Sequence, residues 1–214
     1  MSTVKPLQID IVSDVVCPWC YIGKRRIENA LALVPDVPVE INWRPFFLND
    51  WVPREGISRD EYLTAKFGSV EAYKGIAGRV VTAAGEEGLV YRPDQVKRQP
   101  NTIDCHRLIL WAEAKGKAAE MKQRLMELYF QGEGDLTEIN VLVQAAADVG
   151  LDADDVRRRL APTKTWRGFR RRRKRPPTRA SPACRLMCSP ESMRCQARSR
   201  PISSPARSAR CRRK

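Results

Sequence analysis

The chain opens on an alternation. In PLQIDIVSD, Leu7, Ile9 and Ile11 alternate with Gln8 and Asp10, the period-two pattern of a strand. A helix is predicted to begin near Cys17, with Pro18 in its first turn, where a residue lacking an N–H loses no hydrogen bond. Ile27, Ala30, Leu31 and Val34 recur at i, i+3, i+4 and i+7, which predicts one buried face, and Pro35 and Pro38 end the run. VEINWRPFF then reads as a second strand. The opening is therefore β-α-β, a unit that favours a parallel pair and a right-handed crossover.

From Ser58 to Leu160 the period becomes helical. Ser58 and Glu61 form a capping box. A helix is predicted after Asn101–Thr102, where Leu108, Trp111 and Ala112 continue an apolar face; another covers KAAEMKQRLMELYF. Shorter ones cover EINVLVQAAADVG and DADDVRRRL, with Gly150 as a C-terminal cap. After Leu160 the pattern stops. Residues 161–214 hold no Val, Asp, Asn or Tyr, yet carry seven of the fifteen prolines and four of the seven cysteines. So little apolar surface cannot offset chain ordering. The pattern predicts a β-α-β unit over 1–57, a helical region over 58–160, and a disordered tail rich in Pro, Arg, Ser and Cys over 161–214.

Charge sharpens that division. The whole chain is +14, but 18 of its 39 basic residues and only one of its 25 acids, Glu191, fall in 161–214, which makes the tail +17 and the rest −3. The tail is expected to be the product of a shifted reading frame beginning shortly after Leu160. Displaced codons of a G- and C-rich gene yield Arg, Pro, Ser and Cys in place of Ala, Gly, Val and Asp. The rival reading is a basic segment, RGFRRRRKRPPTR, that binds nucleic acid non-specifically through its phosphates. No apolar run approaches the roughly 18–20 residues that span a bilayer, and the N-terminus has no stretch of signal-peptide character. A cytoplasmic protein without a membrane partner is expected, and a close cysteine pair in that compartment is more often catalytic or metal-binding than a structural staple.

That pair lies in SDVVCPWCYIGKRR. Cys17 would stand at a helix N-terminus, where unpaired N–H groups and the positive dipole end favour a thiolate. Such placement lowers a thiol pKa from about 8.5 into the range of about 3.5–7.5. Cys20, one turn on, could attack a mixed disulfide at Cys17 and release the substrate. Pro18 stiffens the turn, and Trp19 offers a flat apolar surface beside the sulfur. Zinc would need two more ligands, and Cys105 and His106, adjacent on a helix, point about 100° apart. A c-type haem would need His at position 21, which is Tyr. Against these, and against two ordinary buried thiols, the strand-to-helix context favours a redox couple, with no metal.

The segment SDVVCPWCYIGKRRIE resembles the active site of the DsbA-like thioredoxin-fold oxidoreductases, in particular their FrnE-type cytoplasmic branch. QPNTIDCHRLILWAEAKG and LMELYFQGEGDLTEINVLVQAAADVGLD resemble helices of that family's inserted domain, in the expected order, so the likeness covers residues 7–160. It implies an α/β thioredoxin-like fold enlarged by a helical insertion. The chemistry implied is thiol–disulfide exchange through Cys17 and Cys20, on a protein or small-molecule thiol or disulfide. No cofactor beyond an external thiol or glutathione is implied. Asn101 and His106 fall in a segment that faces the groove in such proteins, which makes them candidate substrate-side residues; helix capping by Asn101 and a surface or hydrogen-bonded His106 are the plainer readings. Cys105 is expected to be a buried, inert thiol. Lys24, Arg25 and Arg26 read as a solvated helix face that could also attract an acidic peptide or glutathione.

The family's later strands, with their cis-proline loop, find no counterpart after Leu160. The C-terminal β half is thus expected to be missing or replaced by the tail, leaving poor stability, a tendency to aggregate and weak oxidoreductase activity. Glutathione-dependent isomerisation or transfer on the same fold, or nucleic-acid binding through the tail, are the alternative functions.

Overall fold

The computed structural model describes residues 5–161. β1 (Leu7–Ser13) and β2 (Val39–Pro45) pair in parallel, with Leu7 opposite Val39 and Ser13 opposite Pro45, and α1 (Pro18–Ala32) connects them. A two-residue antiparallel ladder joins β3 (Ile57–Ser58) to β4 (Arg98–Gln99), with α2 (Arg59–Phe67) and α3 (Val70–Glu86) between them in the chain. Then follow α4 (Ile103–Glu113), α5 (Ala118–Phe130), α6 (Ile139–Asp148) and α7 (Ala153–Leu160). The β-α-β opening and the helical stretch agree with the periodicity. The short ladder has no periodic signal and was not predicted. The readings of the tail, as disordered, frame-shifted or nucleic-acid-binding, fall on residues 162–214, outside those described.

Local chemistry sets the helix ends. Ser58 Oγ accepts the Glu61 N–H at 3.2 Å and starts α2; Ser69 Oγ accepts the Ala72 N–H at 3.0 Å and starts α3. Gly150 closes α6 with φ +84°, a left-handed turn that also lets the Leu151 N–H reach the Ala146 carbonyl at 2.9 Å. Gly56, at φ +73°, lies against β4 so closely that a Cβ there would come within 2.8 Å of the Gln99 carbonyl oxygen. Only glycine allows that approach.

The main core lies among the helices. Met121, Leu125, Met126 and Phe130 of α5 pack with Cys105, Leu108 and Ala112 of α4 and with Leu142, Ala146, Val156 and Leu160 of α6 and α7. Val15, Val16, Tyr21 and Ile22, around the start of α1, belong to the same cluster, so the core is continuous across residue 57. Phe130 makes the joint. Its ring stacks on Tyr21 at 4.9 Å and meets Tyr91 and Tyr129 edge-on at 5.4 and 5.0 Å. Beside it, the buried Arg59 guanidinium donates to Gln99 Oε1 at 3.0 Å and to the hydroxyls of Tyr129 and Tyr73 at 2.9 and 3.2 Å.

One expectation from periodicity is corrected. The apolar face of α1 at Ile27, Ala30, Leu31 and Val34 is not buried: Ile27 and Leu31 are half-covered, and Ala30 and Val34 are exposed. The reason is positional. Only the first turn of α1 reaches the helical core, and among the described residues no further layer covers the far end or the two-stranded sheet. Leu33 is 82% exposed, Leu7 56% and Val12 53%.

If Phe130 joins α1 to the helices, its loss should be felt throughout. Phe130→Ala is expected to lower the free energy of unfolding by about 3–5 kcal/mol, the usual cost of truncating a buried phenylalanine. Urea denaturation would check this, and a loss below about 1 kcal/mol would show that Tyr21 is anchored by other contacts.

Candidate active site

The turn from β1 into α1 puts Cys17 at the N-cap of the helix. Its backbone is extended, with φ −93° and ψ 112°, and Pro18 takes the first helical position. The Cys17 carbonyl accepts the N–H groups of Cys20 and Tyr21 at 3.0 and 3.1 Å, so it already closes the first turn. Cys17 and Cys20 are both thiols here, both buried, and both packed in the main core with Trp19 half-covered against it. The sequence predicted this position for the pair. It did not predict that the insertion's helices would bury both sulfurs.

Behind the turn lies a fully buried carboxylate, Asp14. Its Oδ2 accepts the Leu48 N–H at 2.7 Å and the Thr102 hydroxyl at 3.3 Å, which ties the end of β1 to the segment after β2 and to the start of α4. Its Oδ1 makes no hydrogen bond, although His106 Nε2 is only 3.3 Å away. That nitrogen donates to the Phe46 carbonyl at 3.0 Å, a carbonyl oxygen that can only accept. Phe47 closes the ring from the side, edge-on at 5.0 Å. His106 is thus a buried, hydrogen-bonded histidine facing Asp14. Asn101 is engaged at both ends of its amide, donating to the Val52 carbonyl at 2.7 Å and accepting the Ile103 N–H at 3.1 Å, a cap one residue ahead of α4.

Three lysines surround the pair, and sequence reasoning singled out only one of them. Lys24 was read as part of a solvated face; instead its side chain is buried, with its ammonium on Glu28 one turn along α1. It lies on the flank of α1 that the insertion covers. Arg25 and Arg26 do lie at the surface, held by Glu28 and Glu87. Lys66, on α2, donates to Asn49 Oδ1 at 2.6 Å with the Tyr62 ring 5.4 Å away. Burial lowers its pKa, partly opposed by Cys17 and Asp14. Tyr62 is pushed up to about 12, mainly by burial, with Cys17 contributing in the same direction.

Lys122 is the most enclosed of the three, 1% exposed, with its ammonium 5.1 Å from the centre of the Trp43 ring. Burial pushes its pKa down to about 8, against the opposing pull of Cys20, Asp14 and Cys17. A signal for it existed. Lys122 stands three and four residues before Leu125 and Met126, on the apolar stripe of α5, where a charge is out of place. Cys105 is fully buried and its thiol is raised well above the ordinary range, chiefly by burial, as an inert thiol should be. Among the described residues no three His, Cys, Asp or Glu side chains are grouped to hold a metal ion, and no helix is long and apolar enough to cross a membrane.

Comparison with known proteins places this architecture. A probable DsbA oxidoreductase of Streptomyces coelicolor, SCO1869, is 32% identical, with a TM-score of 0.68 over 77% of this chain and 72% of its own. Protein YwbO of Bacillus subtilis is 26% identical over 165 residues, 77% of this chain and 76% of its own length. The cytosolic disulfide reductase DsbM of Pseudomonas aeruginosa shares the fold at 16% identity, with a TM-score of 0.53 over 78% of this chain and 77% of its own. Residues 8–170 match the DSBA-like thioredoxin domain, so the fold is the thioredoxin-like one expected from the sequence, and the chain belongs to the DSBA-like thioredoxin domain family.

Proposed function

We propose that the chain is a cytoplasmic thiol–disulfide oxidoreductase in which Cys17 is the nucleophile and Cys20 the resolving thiol. The observation that carries this is the position of Cys17 at the N-cap of α1 with Cys20 one turn on, in a chain of the DSBA-like family. The unpaired N–H groups of a first helical turn and the dipole behind them favour negative charge at that sulfur.

In the reducing direction the Cys17 thiolate attacks one sulfur of a substrate disulfide. A mixed disulfide forms and the other substrate sulfur leaves as a thiolate. Cys20 then attacks Cys17, the pair becomes a disulfide, and the second substrate sulfur leaves. The substrate gains two electrons and the pair loses them. An external thiol, glutathione included, restores the pair by the reverse exchanges, so the cycle needs no metal or bound cofactor. Substrates of this reading are thiol- or disulfide-containing proteins or small molecules. Trp19, half-exposed beside the sulfurs, gives an apolar chain a place to rest. Glutathione-dependent isomerisation on this fold would need only the first cysteine.

Two measurements test the reading. Alkylation at neutral pH followed by peptide mapping is expected to modify Cys17 ahead of Cys105, which should react only once the chain unfolds. Equal rates at the two positions would remove the activated nucleophile. Cys17→Ser is expected to abolish insulin reduction, while Cys20→Ser should accumulate a mixed disulfide with the substrate and lose turnover. A Cys20→Ser variant that turned over a small aromatic substrate at the full wild-type rate would favour the isomerase or transferase instead.

A further inference from the structure

Lys122 is a buried cation on the helical insertion, 102 positions along the chain from Cys20. Every element packed around it contributes a polar group. The β1–α1 turn brings Asp14 and Cys17, α1 brings Cys20 and Lys24, and α4 brings Cys105 and His106. β2 supplies the Trp43 ring. From α6 the acid Asp148 turns away to Arg124, at 2.8 Å. Cys20 is the foremost of the groups that draw the Lys122 ammonium toward its charged form, ahead of Asp14 and Cys17. Lys24 opposes it and is itself held by Glu28.

We propose that Lys122 holds the proton of Cys20 during resolution, its Nζ accepting that proton as Cys20 attacks the mixed disulfide on Cys17. This role rests on reading Cys17 and Cys20 as a redox pair. Cys20 is buried, so bulk water cannot readily take its proton, and a thiol must become a thiolate to attack. The neutral Lys122 amine takes the proton and becomes an ammonium beside the new thiolate, so no net charge is created in the core. The Cys20 sulfur then bonds to the Cys17 sulfur. The bond from Cys17 to the substrate sulfur breaks, and the substrate leaves as a thiolate. The Lys122 proton passes to that thiolate or to solvent. A cavity of about 40 Å³ beside Nζ, lined by Trp43, Arg44, His106 and Glu113, has room for water and gives the proton a path out. An amine titrating near pH 8 is suited to both halves of the exchange, unlike a lysine in its ordinary range.

The test separates the two sulfurs. The reduced full-length chain, with the tail cysteines Cys184, Cys188, Cys195 and Cys211 replaced by serine, is mixed with 5,5′-dithiobis(2-nitrobenzoate) in a stopped-flow instrument. The first thionitrobenzoate released reports attack by Cys17, and the second reports resolution by Cys20. Lys122→Met is expected to leave the first phase unchanged and slow the second on the order of 100-fold at pH 7, the lower end for proton transfer by a positioned side chain. The wild-type second phase should rise with pH and level off near pH 8, as the amine becomes fully neutral. In Lys122→Met it should keep rising past that point, so the two rates converge in alkali. Lys122→Arg keeps a charge but cannot give up a proton, and should also lose the break near pH 8; it provides the comparison if the methionine variant folds poorly. An unchanged second phase in Lys122→Met, or the same break in either variant, overturns the inference and leaves Cys17 as the nucleophile. Equal slowing of both phases would make Lys122 structural and overturn it as well. Absence of the first phase in the wild type would overturn the redox reading and this inference with it.

Discussion

The burial of the first turn of α1 against the helical layer is the contact on which the rest of this structure depends. Tyr21 on Phe130, with Val15, Val16 and Ile22 around them, fixes where that helix begins. The beginning of the helix fixes Cys17, because the N-cap is the residue whose carbonyl closes the first turn. In a larger sheet the neighbouring strands would share this positioning. Here two strands are half-exposed, and the helices of the insertion carry most of it.

The same packing explains the charges held inside. Placing ions in a low-dielectric core costs several kcal/mol each unless partners compensate. Asp14 is compensated at one oxygen by a backbone N–H and a hydroxyl, and Arg59 by an amide and two tyrosine hydroxyls. Lys122 has the Trp43 face and the Cys20 side of α1, and its depressed pKa records incomplete compensation. A protein selected for stability alone would place methionine or leucine there, as the stripe around it suggests.

The parts legible in the sequence share a short physical range. The β1 alternation, the Ser58 cap, the Gly150 turn and the cysteine pair with its proline all act through neighbours within a turn or two, and each stands where the pattern put it. What was illegible depends on distant packing. The apolar spacing of Ile27, Ala30, Leu31 and Val34 says that a face exists, not that anything covers it. Lys24 carries no local mark of burial, since what encloses it comes from elsewhere in the chain. The gathering of Asp14, His106 and Lys122 joins residues up to 108 positions apart, which no motif of fixed spacing can encode. Lys122 itself was visible as a misplaced charge, but its neighbour in space was not.

A helix pinned at one end and bare at the other does not open uniformly. The amides of Tyr21, Ile22 and Lys24 belong to the buried turn, while those from Asn29 to Leu33 lie over an uncovered face. Local opening follows buried contact, so α1 should lose its far turns in fluctuations that leave its beginning intact. The redox end of the helix is then mechanically insulated from its own C-terminus. Sequence drift or fraying around Leu33 would reach the sulfurs only by unfolding the first turn, and that turn is held by another part of the chain.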